Sequence, residues 1–322
     1  MRWSRVRWLL LIATCGVLIV VGWTYMRDLR AITARLEAGA QVIETSFGPV
    51  AFAKGGDGAP VLVIHGAGGG HDQGRLMAEA FLPERTRWIA PSRFGYPGSA
   101  MPAHGSTAAQ ADAFAEMLDG LGLDKVTVAA MSGGVPPALQ FAHRHPERTQ
   151  ALILLSLAPY APLTDEEQDL PIPIWLYDAL FATNLPLWAV LRLSPNALAP
   201  VFDARPDLTK QMTEVEAGFV DAMSTAFLPV TLRRDGLANE GAAIDPAAAL
   251  DTSEITASTL IIHARDDRIT PITTATFTAE WLPRAEALFF ETGGHLLLGH
   301  HAEVRTRIAE FLAVQAAPDV WE

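Results

Sequence analysis

Apolar and polar positions divide the chain into two unlike parts. Between Arg7 and Arg27 lie 19 uncharged residues, Trp8 to Met26, which span about 28 Å as a helix at ~1.5 Å per residue, the depth of a bilayer's hydrocarbon core. Trp3, Trp8, Trp23 and Tyr25 flank this run, where amphipathic rings favour the lipid interface. From about Gln41 onward, short apolar runs alternate with helical patterns, as in an α/β fold with a largely parallel sheet. Strands are expected at Val50–Ala53, Val61–Ile64, Arg87–Ala90, Val126–Ala130, Ala151–Leu155, Thr259–His263 and Ala287–Glu291. Most are apolar throughout, as strands covered on both faces are.

Helices are expected at Thr107–Leu121, with Ser106 as N-cap and Gly122 closing the end, and at Gly134–His145, stopped by Pro146. A third starts near Pro271, whose fixed φ suits a first helical position, and ends before Pro283, and a last runs His301–Ala313. Residues 158–250 break the rhythm with many prolines, among them Pro162, Pro171, Pro173, Pro200 and Pro246, and no convincing strand. Helical stretches such as Asp207–Phe227 mark this part as an inserted helical cap. The domain reading is therefore an anchor and linker over 1–38, a core over 39–157 and 251–322, and a cap over 158–250.

The apolar amino-terminal run exceeds a typical signal h-region and no small-x-small cleavage site follows it, so an uncleaved anchor through residues 8–26 is preferred over a secretory signal. A lipoprotein signal ending at Cys15 fits poorly, because Thr14 precedes the cysteine and apolar residues continue beyond it. Basic residues flank the run on both sides, and the slight bias places the amino terminus inside and the bulk outside.

Charge sharpens this division. The net −12 argues against nucleic acid as a partner, which needs a basic face. Six arginines against two acids before residue 39 leave the remainder strongly acidic. The single cysteine, Cys15, lies inside the apolar run and excludes a disulfide framework.

Candidate chemistry gathers at the ends of strands. In VTVAAMSGGV, residues 126–135, an apolar strand runs straight into Ser132, with small residues Ala130 and Gly134 two positions either side and a helix following. A strained strand-to-helix turn of this kind lifts a hydroxyl above the sheet edge. HGAGGG, His65–Gly70, follows another strand; its backbone can bring the Ala67 N–H to an oxyanion alongside that of Gly133, the residue after Ser132. A phosphate loop is the rival, but the Gly-Lys-Ser/Thr ending is missing. Asp267 and His295 each follow a strand, Asp266 being the competing acid, assigned instead to a neighbouring arginine or the backbone. A carboxylate orienting a histidine base is what a serine needs to become nucleophilic. The other histidines lack partners at ligand spacing, so no metal or cofactor is expected; His71 is placed near the site mouth.

The order Ser132, Asp267, His295 with HGAGGG upstream resembles the α/β-hydrolase superfamily over roughly residues 45–315, and SGGVPPALQFAHRHPERTQALILLS resembles the elbow, helix and next strand of its serine branches. Ala130, Ser92 and Pro97 depart from the glycine, aspartate and glycine common there. The resemblance implies an α/β-hydrolase fold, a mostly parallel sheet of about eight strands with a helical cap after the sixth. Serine at the elbow speaks against the dehalogenase and epoxide hydrolase branches, which use aspartate. The expected function is a membrane-anchored serine hydrolase of small-molecule carboxylic esters. The same triad could act on a thioester, an amino-terminal peptide amide or a C–C bond of a diketone. A receptor with little turnover is the reading from another class.

Overall fold

Side chains alternate along each central strand, and both faces are buried. Val61 and Val63 of β3 (Ala59–Ile64), Ala129 and Met131 of β5 (Val126–Met131), and Ile153 and Leu155 of β6 (Thr149–Leu155) enter one apolar layer. Leu62, Ile64, Val128, Ala130, Leu152 and Leu154 enter the other. This is the two-faced burial anticipated from the continuous apolar runs. The computed structural model describes residues 2–160, 174–241 and 250–316. Residues 161–173 and 242–249 of the expected cap, with Pro162, Pro171, Pro173 and Pro246, lie outside the described residues, as do 317–322.

The remaining strands are β1 (Gln41–Thr45), β2 (Gly48–Gly55), β4 (Thr86–Pro91), β7 (Ser258–Ala264) and β8 (Ala285–Phe290). They form one eight-stranded sheet in the order β1-β2-β4-β3-β5-β6-β7-β8. β1 and β2 are antiparallel to their neighbours, and the other six strands run parallel. The fold is that of an α/β hydrolase. β1 escaped the strand expectations because it is an edge whose side chains are mostly exposed or half-buried, and β8 ends at Phe290 rather than Glu291.

Helices α3 (Thr107–Gly120) and α4 (Val135–Arg144) cover one face, and α2 (His71–Phe81) covers the other. The Ser106 hydroxyl accepts the Ala109 N–H at 3.1 Å, as expected of an N-cap. Between β6 and β7 lie α5 (Ile174–Phe181), α6 (Leu185–Leu193) and α7 (Glu214–Thr225), with no strand among the described residues. The helix expected over Asp207–Phe227 is two pieces: a turn at Pro206–Thr209, then α7, which Thr213 restarts through a reciprocal capping box with Glu216. α8 (Ile272–Trp281) begins one residue after Pro271, which is its N-cap rather than its first residue, and α9 (His301–Ala316) closes the fold.

The amino-terminal run is one helix, α1 (Arg2–Glu37). Residues 6–23 are exposed, whereas Tyr25, Asp28, Leu29, Ile32 and Leu36 form a half-buried to buried stripe at helical spacing along its last turns. His71, expected at the site mouth, serves this docking instead. Its Nε2 lies 2.9 Å from Leu36 O and its Nδ1 3.0 Å from Ser92 Oγ.

Candidate active site

Parallel strands deliver their following loops to one edge of the sheet. Met131, the last residue of β5, pairs with Leu155, so Ser132 stands immediately past that edge. Its φ is 53°, a left-handed conformation disfavoured for any residue with a Cβ. Ser132–Gly134 forms a single tight turn that leads directly into α4. Gly134 permits this approach, since a Cβ there would stand 2.5 Å from Ile64 O and 2.7 Å from His65 O. Alanine at 130 is accommodated because its side chain is taken up by the apolar layer on the α3/α4 face.

Asp267 follows β7 and His295 follows β8. Asp267 Oδ2 lies 2.9 Å from His295 Nδ1, which makes Nδ1 the donor and leaves Nε2 as the basic lone pair. The Thr270 hydroxyl donates to the same oxygen at 2.7 Å, and the Ile269 and Thr270 N–H groups donate to Oδ1 at 2.8 and 3.0 Å. Burial opposes ionisation of this carboxyl, but these donors, His295 foremost, override it and hold it down at about 2. His263 approaches the same carboxylate to 3.6 Å without competing for it. Its Nδ1 accepts the Leu157 N–H and its Nε2 faces Thr270 O at 3.0 Å, so its proton points elsewhere.

Asp266 is turned away from His295 and held in part by the backbone, as expected, but its arginine is 61 residues away rather than a neighbour in sequence. Its carboxylate accepts the Gly294 N–H at 2.9 Å and pairs with Arg205 at 2.6 Å. Arg205 also binds Asp203 at 2.7 Å, and Asp203 Oδ2 accepts the Arg268 and His295 N–H groups at 3.2 and 3.3 Å. A buried ionic network from the chain between β6 and β7 thus ties together the loops carrying Asp267 and His295. Ser156, at φ 45°, adds a hydroxyl bond of 2.7 Å to His295 O. Neither Asp203 nor Arg205 sits in a recognisable motif, and only the chain's return across the sheet brings them here, whereas Ser156 ends the family-like segment 132–156 and Thr270 lies three residues from Asp267.

The HGAGGG loop lies against the Ser132 turn. A Cβ on Gly66 would stand 3.2 Å from Ser132 Cβ, and one on Gly133 would stand 3.2 Å from Ala67 N. Ala67 N therefore lies beside Gly133, and Gly133 belongs to the first turn, where N–H groups lack intrahelical acceptors. Several bonds fix this loop. Tyr96 Oη accepts the Gly68 N–H at 3.0 Å, His65 Nδ1 donates to Gly66 O at 2.7 Å while its Nε2 accepts the Arg93 N–H, and Arg233 donates to Gly69 O. Burial, with the Arg93 charge nearby, holds the His65 ring well below the usual histidine range and hence neutral. Gly68 has φ +71°, and a Cβ there would strike the Phe227 ring, so the chain between β6 and β7 presses directly on this loop.

Beside it sits a cluster absent from the sequence expectations. Glu240, between β6 and β7, accepts from both the Arg93 guanidinium and the Tyr96 hydroxyl. Burial opposes the Arg93 charge, but Glu240 more than restores it; burial and Glu240 together push the Tyr96 hydroxyl well above the usual range for a tyrosine. Arg93 and Tyr96 belong to SRFGYPGS, the loop Ser92–Ser99 that follows β4. Their partner lies 147 residues away from Arg93, which no local signal could have disclosed. Among the described residues, no three His, Cys, Asp or Glu converge as metal ligands would.

A family model described as the alpha/beta hydrolase fold matches residues 59–302. The chain is 32% identical over 265 residues to a 2-hydroxymuconate semialdehyde hydrolase of Pseudomonas putida, covering 80% of this chain and 88% of that one. An α/β hydrolase fold protein from Nakamurella multipartita superposes with a TM-score of 0.74 at 26% identity, over 85% of this chain and 98% of its own. A thermophilic esterase from Thermogutta terrifontis does so with a TM-score of 0.65 at 21% identity, over 86% and 99%.

Proposed function

The chain belongs to the α/β-hydrolase family, and we propose that it is a serine hydrolase of neutral carboxylic esters, anchored in a membrane by α1. The observation that carries the chemistry is the His295–Asp267 pair, with Nδ1 committed to the carboxylate at 2.9 Å and Nε2 left to take a proton. Ser132 Oγ attacks the ester carbonyl as its proton passes to His295 Nε2. Ala67 and Gly133 N–H groups receive the oxyanion, and the alkoxide leaves with the proton from Nε2. Water, deprotonated by the same nitrogen, then releases the acid from Ser132. Asp267 orients the imidazole and stabilises its charged form.

The identity to a 2-hydroxymuconate semialdehyde hydrolase supports a second reading, C–C cleavage by the same triad. Charge favours the ester. The insertion, residues 158–250, carries thirteen acidic and five basic side chains. Each of its arginines already faces a carboxylate: Arg192 with Asp28, Arg205 with Asp203 and Asp266, Arg233 with Asp72, and Arg234 with Asp178. Arg93 in the core is likewise matched by Glu240. A muconate carries a carboxylate that needs a cation, whereas a neutral ester needs none.

A fluorophosphonate probe should label the wild type and not Ser132→Ala, and short-chain p-nitrophenyl esters should be turned over in preference to a dienoic semialdehyde acid. Preferred cleavage of the dienoic acid would replace the ester reading with the C–C one, and folded protein that neither labels nor turns over either substrate would leave a receptor. For the anchor, alkaline carbonate should leave the full chain in the membrane pellet. A soluble product beginning after Met26 would make the run a cleaved signal.

A further inference from the structure

Arg192 is the one charged side chain in α6, LPLWAVLRL. A helix apolar on every side belongs in a core or against lipid, and α6 is enclosed on one side only. At 100° per residue, Leu187, Trp188 and Leu191 share the inner arc, and these are buried or half-buried. Leu185, Pro186, Ala189, Val190 and Leu193 share the outer arc, where Leu185, Val190 and Leu193 are 45%, 46% and 87% exposed.

The position of α6 says what covers that arc. Trp188 Nε1 donates to Asp28 Oδ2 at 3.2 Å, its ring meets Tyr25 edge-on at 5.3 Å, and Arg192 approaches Asp28 to 3.9 Å. Tyr25 and Asp28 straddle Met26, the end of the uncharged run, and Tyr25 begins the stripe by which α1 packs on the body. α6 is therefore fastened to α1 at the level where its lipid-length segment ends. Trp23, with the Arg27 guanidinium over its ring at 5.3 Å, marks the same level as an interfacial aromatic does.

We propose that α6 is a second membrane contact: it lies in the bilayer interface with Leu185, Val190 and Leu193 at the boundary of headgroups and acyl chains, so the enzyme draws its esters from bilayer amphiphiles. The inference rests on α1 spanning the membrane and, for the substrate, on the ester reading. Lipid is the occupant because Trp188 and Arg192 hold α6 to Asp28, two residues past the lipid-length run of α1, and an interfacial helix is held by just such an apolar face.

The test uses the full chain, with Cys15→Ser, reconstituted in phosphatidylcholine vesicles. A fluorophore placed through Leu193→Cys should emit in a blue-shifted band and be quenched by shallow nitroxide lipids about fivefold more than one placed through Lys210→Cys, an exposed site on the same insertion. Equal quenching at the two positions overturns the proposal. So does a blue shift that varies with protein-to-lipid ratio and ignores the nitroxide, which would mean a second copy covers the arc. The triple change Leu185→Glu, Val190→Glu, Leu193→Glu should lower turnover of a long-chain ester embedded in the vesicles by about tenfold or more, leaving a soluble short-chain ester within about twofold. Equal turnover of the embedded ester by triple variant and parent overturns the substrate claim. If the parent cleaves no ester at all, the ester reading fails, and the quenching result still decides the contact.

Discussion

His295 Nδ1 and Asp267 Oδ2 stand 2.9 Å apart, although 28 residues, helix α8 and strand β8 separate them along the chain. The neighbouring Asp266 faces the opposite way, held by Arg205 and the Gly294 N–H. One peptide bond thus divides two carboxylates with different work. Asp267→Asn should lower kcat by about 10³–10⁴, because the amide forces the wrong histidine tautomer. Asp266→Asn should retain most of kcat and lose thermal stability instead. Steady-state rates and unfolding midpoints for both variants check this, and the reverse pattern would reassign the acid.

The same carboxyl couples stability to acid. Its value is held at about 2 in the folded state against 3.8 for an unperturbed aspartate. A depressed carboxyl stabilises the fold above its unfolded value, and that contribution disappears as pH falls through the folded one. The difference corresponds to about 2 kcal/mol. Urea unfolding of the wild type and Asp267→Asn from pH 7 to pH 2 should give curves that converge between about pH 4 and pH 2. A constant separation across that range would contradict the assignment.

Tyr96 holds the Gly68 N–H at 3.0 Å, one residue from the proposed oxyanion donor Ala67. Tyr96→Phe deprives that N–H of its acceptor and Glu240 of a donor, at a cost of about 1–3 kcal/mol. The loosened loop should reduce kcat about tenfold or more with KM nearly unchanged, since the donor acts mainly in the transition state. Glu240→Gln should have a smaller effect of the same kind. A change confined to KM would mean that the cluster contacts the substrate rather than shaping the loop.

Arg205 binds Asp203 and Asp266 from a nearly buried position. Arg205→Met leaves both carboxylates without their cation, and about 3 kcal/mol of stability should be lost. The double variant Arg205→Met, Asp266→Asn should recover part of it. Additive losses in a double-mutant cycle would show that the pair is not coupled.

The strands were legible because each is a short apolar run bounded by turn residues, and the Ser132 elbow because its small flanking residues and following helix are all local in sequence. β1 and the two-piece form of the 206–225 segment were not, the first because an exposed edge strand lacks an apolar signature, the second because Thr213 recaps the chain within an otherwise helical pattern. The placing of His71 failed for a related reason: proximity to HGAGGG along the chain said nothing about which way α2 would turn its first residue.

By itself the sequence determined the layered α/β architecture, the lipid-length apolar segment and the identities of Ser132, Asp267 and His295 as candidates, since each depends on patterns within about a dozen residues. Only the tertiary structure decided that Glu240 meets Arg93 and Tyr96, that Arg205 clamps the loops of Asp267 and His295, and that α6 is fastened to α1 at Asp28. Those contacts join residues from about 60 to 160 positions apart. Charge and hydrogen-bonding capacity are written locally, but the partner that satisfies them is chosen by the packing of the whole chain.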